Sequence, residues 1–493
     1  MKAVVQTVAA LVFAVAPAVA QTAAPTCDPT ANTKGDVAKA QFSMTRAIST
    51  ADKGNPTNDL QQVLKLVDNG TDNPTARAYL RGEAYVLYLM QPNAQPVVTR
   101  SALGLTTNPT GTIDLFAAAD SAFTTVETAS PECTVLITQW RQQKPWLNTL
   151  NASINALNNN QLDSAEIFAK RALLLDRHAP YAYSVLGSVA EQKKDWNAAN
   201  QYWKQTIAAA GTDTTYADVR TKTMYEMASA ASTRAEEATG AAKRTAARDA
   251  IKPWQDYISV ANNDLLLADA VDQLSRMYIA AGDSTSVPST YAPMLASPTK
   301  YGELALVHAG VVATRAGHQP DAEKLFEAAL AQNPYSRDAL NNIAATYIQN
   351  NQFTKAFPMI DRLIALDPSN PDNPLLYAFA YQGLYKGTKD KKLQKIYTDS
   401  LVYFNSKSEN ATVKLGVNEF TRRANETIIG GNIENRGTTP KTYSLTIEFL
   451  DKSGNVISTE TQSVGPVAAK SSQAFKVTTA HGGVYGYRYK PLS

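Results

Sequence analysis

Residues 322–334 read AEKLFEAALAQNP, and residues 356–368, thirty-four positions on, read AFPMIDRLIALDP. Few letters are shared, yet apolar, small and proline positions coincide. The pattern recurs at 165–177, AEIFAKRALLLDR, and at 199–211, ANQYWKQTIAAAG, again thirty-four residues apart. Within each stretch Ala165, Ala199, Ala322 and Ala356 correspond. Four residues later come Ala169, Trp203, Phe326 and Ile360, and three further Ala172, Thr206, Ala329 and Leu363. Spacing of i, i+4, i+7 places all three on one helical face. Upstream of each stretch a small residue recurs (Ser153, Gly187, Gly310, Ala344), where two helices cross closely. Polar or glycine pairs separate the helices: Asn160-Gln161, Lys194-Asp195, Gly317-His318 and Asn351-Gln352. Packing therefore holds the spacing constant, while exposed positions are free to vary.

A helix–turn–helix unit of thirty-four residues resembles the tetratricopeptide repeat. The resemblance covers 146–179, 180–213, 303–336 and 337–370, with Arg177 and Gly211 where the family favours proline and Pro358 early in a second helix. Degenerate units flank these. RGEAYVLYLM (81–90) and FAAADSAFTTVETASP (116–131) read as the two helices of one repeat, separated by about 25 additional residues. That insertion, 92–115, reads as a surface loop. From 216 to 300 the chain stays helical, with LSRMYIAAGD (274–283) resembling a first helix and Pro253, Pro288 and Pro293 breaking the pattern. Two helices after Pro371 read as a cap for the array, whose end unit has no neighbour.

Near residue 405 the period changes to two. TYSLTIEFLDKSGNVISTETQSV (442–464) alternates, with a hairpin turn at Asp451–Gly454; TIIGGNIEN, SQAFKV and VYGYRY supply further strands. Six to seven short strands imply a small antiparallel sandwich. The layout GNIENRG…YSLTIEFLDKSG resembles the Ig-like FxLYD domain. The expected fold is thus multidomain: an all-α helical repeat solenoid followed by an all-β Ig-like sandwich. Its parts are 21–145 (degenerate helical repeats), 146–213 (repeat pair), 214–300 (atypical repeats), 301–404 (repeat pair plus capping helices) and 405–493 (sandwich).

The N-terminus, MKAVVQTVAALVFAVAPAVA, has one lysine, a short apolar run and a small-x-small end. It reads as a signal peptide over 1–20, cut before Gln21, which implies a periplasmic or secreted protein. Nothing later approaches a membrane span. The only cysteines, Cys27 and Cys133, would pair as a disulfide in that compartment. Lysine plus arginine number 47 against 44 acids, a balance that argues against a nucleic-acid partner.

Four scattered histidines, no HExxH, no CxxC and no phosphate-binding glycine loop leave no expected catalytic residues, metal or cofactor. The lysines of KGTKDKKLQK (386–395) read as a solvated helix start, and Trp203 as a core residue. What the resemblance implies is a groove lined by first helices. Its expected partner-binding residues are Leu150 and Ile154; Tyr181, Ser184, Ser188 and Glu191; Leu304, Val307 and Val311; Asp338, Asn341 and Ala345. The expectation is a non-enzymatic exported scaffold that binds a protein or peptide there. The alternative is a glycan- or solute-binding protein with the tryptophans of 140–254 as its platform.

Overall fold

A computed structural model describes residues 27–51 and 54–492. The signal-peptide expectation falls on residues outside these. The chain divides into two compact units, one ending at Ala230 and the other beginning at Ala231.

In the first unit α1 (Gly35–Ala51), α2 (Thr57–Asp68), α3 (Pro74–Leu89), α4 (Leu115–Ala129) and α5 (Thr134–Arg141) enclose one core. Cys27 and Cys133 are buried in it and joined, with Cα atoms 5.1 Å apart. The 92–115 segment is more ordered than a surface loop. Two short strands, β1 (Val97–Thr99) and β2 (Thr112–Asp114), pair antiparallel, and Leu103 and Leu105 between them are buried in the same core. Arg100 pins the segment down, reaching the Thr107 carbonyl at 2.7 Å and Asp68 at 3.2 Å. Two hairpins follow, α6 (Lys144–Asn158) with α7 (Leu162–Leu175) and α8 (Tyr181–Gln192) with α9 (Trp196–Ala210), and then α10 (Ala217–Glu237), inside which the division into units falls.

The second unit pairs α11 (Gly240–Val260) with α12 (Asp264–Ala281). α12 is followed by a 3-10 turn and the five-residue α13 (Ala292–Ala296), in keeping with the expectation that Pro288 and Pro293, which lack backbone donors, break the pattern there. As a result α12 packs directly on α14 (Glu303–Arg315). Hairpins α14–α15 (Gln319–Gln332), α16 (Arg337–Gln349)–α17 (Phe353–Leu366) and α18 (Asn373–Gly387)–α19 (Lys391–Glu409) complete the helices. Neither Pro253 in α11 nor Pro358 in α17 breaks its helix, contrary to the expectation for Pro253. Among the described residues no helix is long and apolar enough to cross a membrane.

The repeat is visible in the backbone. All four turns place a left-handed residue at the same position: Asn160, Lys194, Gly317 and Asn351, with φ of 57°, 60°, 79° and 57°. The next amide then bonds back to the carbonyl five residues earlier, as Gln161 to Ala156 (2.8 Å), Asp195 to Ala190 (2.8 Å), His318 to Ala313 (2.9 Å) and Gln352 to Tyr347 (2.7 Å). This is the Schellman closure, which satisfies carbonyls left over at a helix end. Small first-helix residues are required by contact: a Cβ on Gly187 would lie 2.4 Å from the Trp203 ring, and one on Gly310 2.5 Å from the Phe326 ring.

Six strands follow α19, which runs to Glu409, past the expected boundary at 405. They are β3 (Val413–Arg423), β4 (Glu426–Asn435), β5 (Lys441–Leu450), β6 (Val456–Val467), β7 (Ser471–Thr479) and β8 (Gly486–Tyr489). Two antiparallel sheets, β3-β4-β7 and β6-β5-β8, share a core of Leu415, Ile429, Ile433, Tyr443, Leu445, Ile447 and Phe449. Asp451 closes the expected hairpin by accepting from the Ser453 and Asn455 amides at 2.8 and 2.9 Å.

Candidate functional site

The first helices carry the faces that the repeat leaves uncovered. In the second unit α12, α14, α16 and α18 follow one another, each packed on the next. On α14 the residues that are not buried are Glu303 and Thr314 near its ends and Leu304, His308, Val311 and Arg315, whose spacing of i, i+4, i+7, i+11 makes one stripe. Val307, expected on this face, is only 5% exposed and belongs to the core. The open position is one residue on, at His308, which is half-buried. Leu150 in α6 is corrected for the same reason: at 4% exposure it packs inside the hairpin. Ile154, Tyr181, Ser184, Ser188, Glu191, Leu304, Val311 and Ala345 are half-buried, and Asp338 and Asn341 are exposed.

α12 adds a second stripe, Leu265, Asp269, Asp272, Arg276 and Ile279, at i, i+4, i+7, i+11, i+14, with Leu265 and Ile279 well exposed. The two stripes meet where His308 Nδ1 lies 2.7 Å from Asp272 Oδ2. Arg315 Nη1 is 3.6 Å from the other Asp272 oxygen, too far for a hydrogen bond. The Asp272 carboxylate above all, and then Asp269 and Asp338, hold the His308 imidazole above the ordinary histidine range; partial burial opposes them. Carboxylates of α12 and α16 thus act on one histidine of α14, Asp272 by direct contact, beside the apolar Leu304 and Val311. Chemically this face can accept donors and a positive charge, and it can cover apolar side chains.

In the first unit Glu191 is pushed up to about 7, by burial first and then by the Glu226 carboxylate of α10. Lys222 lies 3.7 Å from Glu226. The Tyr181 ring meets Tyr216 edge-on at 5.7 Å, so the turn before α10 covers part of the α8 face. Elsewhere Glu83 is held in the core beside Tyr79, burial raising it to about 8. The Trp140 indole donates to that tyrosine hydroxyl at 3.0 Å. No nucleophile accompanies Glu83. Among the described residues no group of histidine, cysteine and carboxylate side chains could hold a metal ion. Trp203 and Trp254 are buried, the latter donating to Ser232 at 2.7 Å, while Trp140, Trp146 and Trp196 are half-buried.

Asp269 and Asp272 were not expected, and His308, one residue beyond Val307, reads from the sequence more readily as a packed helix residue than as part of the face. The stretch 274–283, which reads as a first helix, covers the end of α12 but does not extend back to Leu265, Asp269 and Asp272.

Residues 313–380, from the end of α14 into α18, match the family model of the tetratricopeptide repeat. No curated protein sequence matches the chain. Among solved structures, YrrB, described as a tetratricopeptide protein with an unusual peptide-binding site, is 20% identical; the match covers 45% of this chain and 98% of that one, with a TM-score of 0.25. A tetratricopeptide repeat protein from Parabacteroides merdae is 14% identical over 54% and 93% of the two chains, with a TM-score of 0.28. A thermophilic protein of this type from Thermus thermophilus is 16% identical over 52% and 99%, with a TM-score of 0.21. At these scores the resemblances carry no argument about what this chain binds.

Proposed function

We propose that this protein is an exported, non-enzymatic scaffold that binds a protein or peptide segment on the first-helix face of its second unit. The observation that carries the proposal is the joined stripe of α12, α14 and α16. Leu265, Leu304 and Val311 offer apolar contact, while Asp272 pairs with His308 at 2.7 Å and the Asp269 and Asp338 charges add to its field. A segment that presents one basic side chain between apolar ones complements such a face. A scaffold of this kind needs no catalytic set. Export is supported by the N-terminal stretch 1–20 and by the joined cysteines, since disulfides persist outside reducing compartments.

The test is in-cell crosslinking of the tagged protein, with Leu304→Asp/Val311→Asp beside it. The expected result is a reproducible partner, lost in the double variant while its circular dichroism is unchanged. Equal capture by the variant removes the face from the proposal. In the same purified protein, mass spectrometry should find Cys27 and Cys133 unreactive to alkylation until reduced; free thiols would count against export.

A further inference from the structure

The last helical hairpin does not look like an end cap. A terminal repeat normally turns a polar side outwards. Of the residues of α19 only Ser408 is buried, and Ile396, Val402 and Tyr403 are 48%, 54% and 59% exposed. α18 adds Phe379 and Tyr385, also exposed. Rings hold α19 in place: Tyr377 stacks on Phe404 at 4.4 Å and on Phe357 at 5.4 Å, and Tyr381 contacts Phe357 and Tyr397. That layer uses one side of α19 and leaves another uncovered. At about 100° per residue, Leu393, Ile396, Ser400, Tyr403 and Lys407 fall within roughly a quarter of the helix circumference. Lys392 borders the same stripe.

Charge is concentrated in the same hairpin. From 386 to 409 the chain has six lysines, Lys386, Lys389, Lys391, Lys392, Lys395 and Lys407, against Asp390, Asp399 and Glu409. Asp390 is engaged in capping α19 through the Lys392 and Leu393 amides, and Asp399 pairs with Lys395 at 2.8 Å. The chain as a whole is nearly neutral, so this excess is local.

We propose that α19 is an interfacial element that seats the protein on an anionic phospholipid surface. An apolar stripe with Lys392 at its border and Lys407 on it, in a lysine-rich hairpin, has the two contributions that hold a helix in the plane of a headgroup layer: burial of side chains at the acyl boundary and attraction to negative lipid. Charge selects this occupant over a second copy, which would bring a second set of the same lysines against the first. Tyr385 and Tyr403 carry the amphipathic rings that favour headgroup depth.

Co-sedimentation of the purified protein with vesicles tests it. One set contains phosphatidylglycerol and phosphatidylcholine, the other phosphatidylcholine alone. Expected is retention on the anionic vesicles at least about tenfold above the neutral ones, falling as salt rises. Lys391→Glu/Lys392→Glu/Lys395→Glu and Ile396→Asp/Tyr403→Asp should each lower it by about tenfold or more, with unchanged melting temperature. The lysine variant alters only solvated side chains and keeps the test decisive if the second fails to fold. Absent or charge-independent retention, or both variants binding as the parent does, overturns the proposal. So does a concentration-dependent dimer abolished by Ile396→Asp in protein that ignores vesicles, which would assign the stripe to self-association.

Discussion

At the scale of single residues, His308 shows both what spacing reveals and what it conceals. The family resemblance implied Leu304 and Val311 on the open face of α14, but it also implied Val307, where the face continues through His308. One residue is 100° of rotation, and only the neighbouring helices decide which of two adjacent residues stays uncovered. The consequence is titratable. His308 is raised chiefly by its hydrogen bond to Asp272. The folded protein therefore binds this proton more tightly than the unfolded chain does. The resulting stabilisation is complete below the ordinary histidine value of 6.5 and is lost as pH rises through the raised one. Asp272→Asn should lower the His308 titration midpoint, followed by NMR of the imidazole protons, and flatten stability against pH across that window. An unmoved midpoint would mean that Asp269 and Asp338, not Asp272, set the charge.

At the scale of elements, the helices with clean thirty-four-residue spacing were legible because the same contact recurs: Ala165, Ala199, Ala322 and Ala356 are all fully buried. The region between 240 and 300 was not, because its contacts do not repeat. Here Asn263 caps its own helix through the Leu266 amide at 3.1 Å, and the adjacent Asp264 caps a different one. Its two carboxylate oxygens accept from the Leu304 and Ala305 amides of α14, each at 3.0 Å, forty residues along the chain. Gly302 permits the approach, since a Cβ there would lie 2.2 Å from the Asp264 carboxyl carbon. No local motif predicts a cap supplied from another helix. Asp264→Ala should cost about 1 kcal/mol, within the range measured for lost N-caps, as read from the urea midpoint. Asp264→Asn should retain most of it. If the two variants are equally stable, the amides of α14 find solvent instead and the cap contributes little.

At the scale of the molecule, the change of period near 405 announced a sandwich, and five of its six strands were legible as alternation. Its attachment was not. Within the second unit the sandwich is fastened to the loops after α15 and α17 by residues 120 to 150 positions away in sequence. Arg337 donates to the Leu366 and Tyr487 carbonyls at 2.8 and 3.0 Å, and its guanidinium lies 3.8 Å from the Tyr487 ring centre. Tyr489 donates its hydroxyl to Asp367 and accepts from the Ser369 amide at 3.2 Å; Leu492 and Leu415 bond to Ser369 as well. The Tyr335 side chain packs against Gly486, where a Cβ would meet it at 2.5 Å. A spacer on a loose tether would share none of these contacts, so the sandwich and the helices of this unit should open together. Hydrogen exchange followed by mass spectrometry can decide: β5 and α16 peptides are expected to show the same opening free energy in the parent protein. Arg337→Ala/Tyr489→Phe removes a half-buried charged donor, its ring contact and a phenol bond, together worth about 2–4 kcal/mol. In that variant β5 should exchange faster than α16 and independently of it. Unchanged, coincident exchange would locate the coupling in the Tyr335–Gly486 contact and the bonds of the Leu415 and Leu492 amides to Ser369, which the double variant leaves intact.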